Sequence, residues 1–172
     1  MPLLLEPTPM ANIDKKAVLA TLHARLAATL DSLTASHQAV QSGAVHPEAR
    51  QEHPKDTRSI EAGYLARGLA ERVETLRDGI RALDLLRARD FADDEAAAPG
   101  ALVTLLTEDG REALYFLAPA GGGESLLVAG RQVLVLTPRS PLGAAIAGRR
   151  SGDSVSVELP SGMLRAEIDR IA

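Results

Sequence analysis

The chain has 172 residues, 45% of them hydrophobic, enough for one or two small domains with real cores and too apolar for wholesale disorder. Its 23 acidic and 19 basic side chains leave a net charge of −4, so there is no basic excess to hold a phosphate backbone, and autonomous sequence-specific nucleic-acid binding is disfavoured. The lack of cysteine removes disulfides, thiolate catalysis and thiolate zinc sites, and the 2% aromatic content leaves little for a lined ligand pocket or a base-stacking platform.

The opening run Met1-Pro-Leu-Leu-Leu-Glu-Pro7 is too short for a signal-peptide core, is broken by Glu6 and Pro7, and lacks a basic leader. Residues 1–12 precede the first helical stripe and read as an N-terminal extension. Charges interrupt every apolar stretch before the ~18 residues of a membrane span, so a soluble, cytoplasmic protein without a membrane partner is expected. From Ile13 the residues Leu19, Leu22, Leu26, Leu30 and Leu33 recur at spacings of three and four, which predicts an amphipathic helix to about Val40. A second stripe, Leu65, Leu69, Val73, Leu76, Ile80 and Leu83, predicts another over 57–89. Two such helices joined by a modest connection pack antiparallel, so residues 13–90 read as a coiled-coil hairpin in which each narrow stripe mainly buries itself against the other. Between them, His46-Pro47 and His53-Pro54 disfavour helix and mark the tip, about residues 43–57.

Residues 91–100 lose periodicity and become acidic and small, as a linker would. After Gly100 the pattern switches to short apolar or alternating runs, Leu102 to Leu106, Ala113 to Leu117, Leu126 to Leu136, Val155 to Leu159 and Met163 to Ile171, which predict strands. The turn residues Glu108-Asp-Gly110, Ala120-Gly-Gly-Gly123 and Pro160-Ser-Gly162 separate them, and Leu142 to Ala147 reads as one short helix. The fold class is α+β, a helical hairpin followed by an antiparallel β domain over 101–172.

The segment Ser140-Pro-Leu-Gly-Ala-Ala-Ile-Ala-Gly-Arg-Arg-Ser-Gly-Asp153, followed by a strand ending in Pro160-Ser-Gly162, resembles the C-terminal signature of bacterial Gre (GreA/GreB) transcription elongation factors. Ser140, Pro141, Gly143, Gly148, Arg149, Gly152 and Asp153 fall in place. Local physics agrees, since Ser140 can cap a helix that Pro141 opens and Gly152-Asp153 can turn into the next strand. The order of parts matches as well, because Gre factors carry an N-terminal coiled-coil hairpin and an FKBP-like sheet domain; the likeness covers about residues 10–172. The resemblance implies a cytoplasmic, monomeric factor whose C-terminal domain docks on RNA polymerase at the mouth of its secondary channel, through Ser140, Pro141, Leu142, Gly143 and Ile146, while the hairpin reaches inward. It further implies no enzyme activity and no cofactor of its own. Acids at the tip would help hold a Mg²⁺ ion shared with the polymerase active site, which would promote cleavage of backtracked transcripts; carboxylates suit that hard cation.

The tip departs from the family pattern. Family tips carry Asp and Glu three residues apart before a Tyr, but registered on Tyr64 those positions fall here on Thr57 and Ile60, leaving Asp56 and Glu61 one place outside. Five positions on a helix separate two side chains by about 140°, so Asp56 and Glu61 converge on one metal only if Asp56 sits off the helix. The competing reading makes Asp56 the N-cap of the second helix and Glu61 a solvated acid near its start. Glu48 and Glu52, with His46 and His53, form an alternative set of oxygen and imidazole donors, and His37 sits in register with the helical seam. Prolyl isomerase activity, known for FKBP-like folds, needs an aromatic-lined pocket. Tyr115 and Phe116 are adjacent and so face opposite ways in a strand. Two functions remain open: a Gre-like factor that stimulates cleavage, and a Gre-like regulator or hairpin adaptor that occupies the channel or another partner without it.

Overall fold

The computed structural model describes residues 13–45 and 57–172. Helix α1 runs Lys15–Val45 and α2 Thr57–Asp84, followed by strands β1 (Leu102–Thr107), β2 (Glu112–Leu117), β3 (Ser125–Val128) and β4 (Arg131–Leu136), helix α3 (Pro141–Ile146), and strands β5 (Ser154–Leu159) and β6 (Gly162–Ile171). The structure has the α+β class expected. Asp14 caps α1, accepting from the Lys16 N–H at 2.9 Å, and the 31 residues of the helix make it about 46 Å long. Within the described residues no helix is long and apolar enough to cross a membrane.

The six strands form one sheet in the order β3-β4-β2-β1-β6-β5. Every pairing is antiparallel except β2 with β4, which run parallel. The single strand expected over Leu126 to Leu136 is a hairpin, because Ala129 and Gly130 both take positive φ, 50° and 75°, and turn the chain between β3 and β4. Positive φ at both centres is the geometry of a tight two-residue hairpin loop, and apolar runs on either side hide it from a periodicity reading. On β6, Ile168 and Ile171 are both buried although three residues apart. A register shift against β1 between Thr104 and Leu105 accounts for this, a bulge that returns both side chains to one face.

Two apolar layers sandwich the sheet. On one face Val18, Leu22 and Leu26 of α1 and Leu83 of α2 pack on Leu102, Leu114, Phe116, Leu126, Val128, Val133 and Val135. Burial along α1 is deepest here and falls away toward the far end of the helix, where Leu30 and Leu33 are half-buried. The hairpin stripes therefore bury themselves first against the sheet at their base, and against each other beyond it. Periodicity identifies the apolar side of a helix but says nothing of what covers it. The glycine loop after β2 makes the contact close: a Cβ on Gly121 would lie 2.7 Å from Leu22 Cδ1.

On the other face, Leu142 and Ile146 of α3 join Phe91, Ala97 and Ala101 over Val103, Leu105, Leu117, Leu136, Val155, Ile168 and Ile171. Residues 91–100, expected to be a linker, are an ordered strap whose buried Phe91 and Ala97 belong to this layer. Their small residues lie flat on the sheet and read as linker composition.

Candidate functional site

Helix α3 and the turn after it are built by the residues that stand out in the sequence. The Ser140 Oγ accepts from the Gly143 N–H at 3.2 Å and donates to the Thr137 carbonyl at 2.8 Å, so this hydroxyl both caps the helix and closes the preceding turn. Pro141 occupies the first helical turn, where a missing N–H breaks no helical bond. Gly143 lies against the backbone: a Cβ there would come within 2.0 Å of the Thr137 carbonyl oxygen. The helix ends at Ile146 with Ala147 as its C-cap, Gly148 follows at a positive φ of 80°, and the Asp153 carboxylate accepts from the Arg150 N–H at 2.8 Å, holding the turn into β5.

The strap supports this turn from below. The Ala97 N–H donates to the Arg149 carbonyl at 2.7 Å, the Gly148 N–H donates to the Ala97 carbonyl at 2.8 Å, and the Arg150 Nε donates to the Asp94 carbonyl at 2.9 Å. Strap, α3 and turn are thus one fastened unit.

Of the residues expected to dock, the structure buries three. Leu142 is 5% exposed, Ile146 is fully buried and Gly143 is enclosed by backbone, so these three hold the helix to the sheet and present no surface. Pro141 is exposed and Ser140 half-buried. The accessible face of the same element is Pro141 and Ala144, flanked by Arg139 before the helix and by Arg149 and Arg150 after it, all exposed. No described residue pairs with the Arg139 or Arg149 guanidinium. This is a small apolar ridge with cationic ends. Sequence reasoning missed Ala144, Arg139 and Arg149 as surface, although the signal was present: Leu142 and Ile146, four apart, point one way on a helix, and Pro141 and Ala144, three apart, point the other.

At the far end of the hairpin, Glu61 stands exposed in the first turns of α2. The other expected tip acids, Asp56, Glu48 and Glu52, lie outside the described residues, as do His46 and His53. Among the described residues no three carboxylate or imidazole side chains gather where a metal could bind. Around Glu61, Ile60, Tyr64 and Leu65 are 52%, 68% and 55% exposed, so three large apolar side chains stand open to solvent at this end. His37 is half-buried on α1. On the sheet, Phe116 lies in the hairpin-side core and Tyr115 packs at the edge of the opposite one, as adjacent strand residues must. Burial pushes the Tyr115 phenol pKa up from its ordinary value.

Residues 92–172 match the family model described as the C-terminal domain of the transcription elongation factor GreA/GreB. Among solved structures, the chain is similar to the GreA factor homolog 1 (Gfh1) protein of Thermus thermophilus, with 19% identity over 87% of this chain and 94% of that one and a TM-score of 0.37. It is also similar to Thermus aquaticus Gfh1, with 19% identity over 88% and 94% and a TM-score of 0.37. A third likeness is to a prokaryotic elongation factor GreA/GreB from Nitrosomonas europaea, with 17% identity over 66% and 92% and a TM-score of 0.36. No curated protein matches the chain.

Proposed function

We propose, from the premise that residues 92–172 belong to the GreA/GreB family of transcription elongation factors, that this chain binds RNA polymerase at the mouth of its secondary channel and regulates elongation as an accessory factor. The observation that carries this reading is the extent of the match, which takes in the strap, all six strands and α3. The surface left open on α3 is the natural docking element. Pro141 and Ala144 offer apolar contact, and Arg139, Arg149 and Arg150 offer charge-assisted hydrogen bonds to carboxylates on the partner. The hairpin, about 46 Å long by its first helix, is the element that would reach inward.

The test separates surface from core. Ala144→Glu and Arg149→Glu alter exposed side chains and should leave stability within about 0.5 kcal/mol, while polymerase affinity falls at least about tenfold, the 1.4 kcal/mol that one lost interfacial contact represents. Unchanged affinity in both variants, with folding intact, would remove α3 as the docking element.

For the tip, one observation favours a regulator that occupies the channel without promoting cleavage. Ile60 stands where registration on Tyr64 places a family acid, and it is exposed, with Glu61 beside it as the one described candidate donor. The deciding experiment is cleavage of labelled nascent RNA in a backtracked elongation complex, with the wild-type chain and the Asp56→Ala/Glu61→Ala double variant. Shortening that depends on these acids would establish cleavage stimulation and place both at the metal; no shortening despite measured binding would establish the occupying regulator.

A further inference from the structure

Lys15 is the first residue of α1, just after the Asp14 cap, and it is only 9% exposed. A cation at that end opposes the helix macrodipole, and a buried ammonium loses its hydration, so neither helix formation nor solvation accounts for its place. Its partners do. Lys15 Nζ donates to the Arg89 carbonyl, lies 3.6 Å from the Asp90 carboxylate, and sits 5.3 Å from the centre of the Phe91 ring. Arg89 stacks on the same ring at 3.9 Å and pairs with Glu95. Phe91 belongs to the core on the far face of the sheet, whereas α1 belongs to the near one. Lys15 therefore fastens the hairpin layer to the strap layer.

We propose that Lys15 is a positioning residue, whose ammonium, clamped by the Arg89 carbonyl, the Asp90 carboxylate and the Phe91 ring, fixes the angle between the helical hairpin and the α3 turn. The link is continuous. The strap that begins at this clamp ends in the backbone bonds from Ala97 to Gly148 and Arg149. The α1 contacts with the sheet are otherwise aliphatic, through Val18, Leu22 and Leu26, and such contacts are non-directional. Among the described residues a second hydrogen-bonded pair joins α1 to the sheet domain, Arg25 with Glu124 at 3.1 Å; it is solvated and contributes little. Lys15 supplies the buried directional contacts through the Arg89 carbonyl and the Phe91 ring, whereas its Asp90 partner is fully exposed and that ion pair is itself solvated. Its importance for aiming the hairpin into a partner rests on the function proposed above; the clamp itself does not.

Because the chain has no cysteine, spin labels at Gln38→Cys on α1 and Glu158→Cys on β5 report the hairpin angle directly by pulsed electron paramagnetic resonance on the full chain, without polymerase. Gln38 lies about 35 Å along the helix from Lys15, so a swing of about 15° displaces its label by about 9 Å. The labelled wild type should give one narrow distance distribution. Lys15→Met, which keeps the aliphatic stem, should displace or broaden it by several ångström on the scale of that lever, and Lys15→Arg should restore it. Where Lys15→Met fails to fold, Phe91→Leu removes the ring face while keeping an apolar side chain in the core, and the same displacement is expected. An unchanged narrow distribution in the folded variant, even with a lowered melting temperature, would show that the aliphatic layer alone sets the angle and would overturn the proposal. Failure of the docking reading appears separately, as undiminished polymerase binding by Ala144→Glu.

Discussion

Replacing Gly143 with alanine tests whether the most distinctive segment of the chain is a fold determinant. The added methyl would lie 2.0 Å from the Thr137 carbonyl oxygen and 2.7 Å from the Ser140 Oγ, against 3.4–4 Å for ordinary contact. The carbonyl cannot simply withdraw. It accepts from the Ser140 N–H at 3.0 Å and from the Ser140 hydroxyl at 2.8 Å, so moving it weakens two hydrogen bonds, each worth about 0.5–1.5 kcal/mol. Adding about 1–3 kcal/mol for overpacking gives roughly 2–6 kcal/mol, centred near about 4, a large share of the ~5–15 kcal/mol that holds a domain together. Urea unfolding followed by far-ultraviolet circular dichroism measures this. With a slope near 2 kcal/mol per molar, the midpoint should fall by about 2 M. A loss below about 0.5 kcal/mol, the range of ordinary surface changes, would refute the close approach and the structural role given to the signature glycine.

Truncating Leu22, buried between α1, Gly121 and the sheet, should lower stability by about 2–5 kcal/mol as Leu22→Ala, measured in the same unfolding experiment; a loss under 1 kcal/mol would mean the hairpin base does not rest on the sheet as described. Ala129 sits at φ 50°, so Ala129→Asn, which tolerates that region and creates an Asn-Gly turn, should stabilise by about 0.5–1 kcal/mol, read as a raised urea midpoint. The Tyr115 phenol is pushed up by burial, so the folded state keeps its proton after the unfolded chain has lost it. Stability is full below the unfolded phenol value of about 10 and declines as pH rises through the folded one. Tyr115→Phe should flatten that alkaline decline in a melting-temperature profile; an unaltered profile would contradict the burial assignment.

The elements themselves were legible because their signals are local. Stripes at three and four spacing produce α1 and α2, and alternation with turn chemistry produces β1, β2, β5 and β6. Three features were not. The hairpin within Leu126 to Leu136 turns on Ala129, a residue with no turn preference, so its left-handed φ is imposed by the pairing of β3 with β4. The parallel pairing of β2 with β4 comes from the placement of β4 between β3 and β2 in the sheet, a long-range arrangement that no local pattern records. The strap has the composition of a linker because Ala97, too small to register as core, is buried by neighbours far away in sequence.

The α3 segment was legible in the sequence, whereas which of its side chains face outward was not, and the reason separates two kinds of constraint on one helix. A six-residue helix on a sheet must bury one side, and Leu142, Gly143 and Ile146 do so. These positions, with Ser140 and Asp153, make the segment recognisable because backbone geometry tolerates few alternatives at each. The exposed positions Pro141 and Ala144 and the flanking arginines face no such constraint from the fold, so their identities are free to follow a partner. It follows that substitutions at the recognisable core positions and at the exposed ones must fail differently. The first should lower stability and binding together, whereas Ala144→Glu and Arg149→Glu should lower binding alone. A joint measurement of midpoint and polymerase affinity across Gly143→Ala, Ala144→Glu and Arg149→Glu therefore resolves whether this helix is only a wedge that shapes the domain or also the surface by which the domain is held.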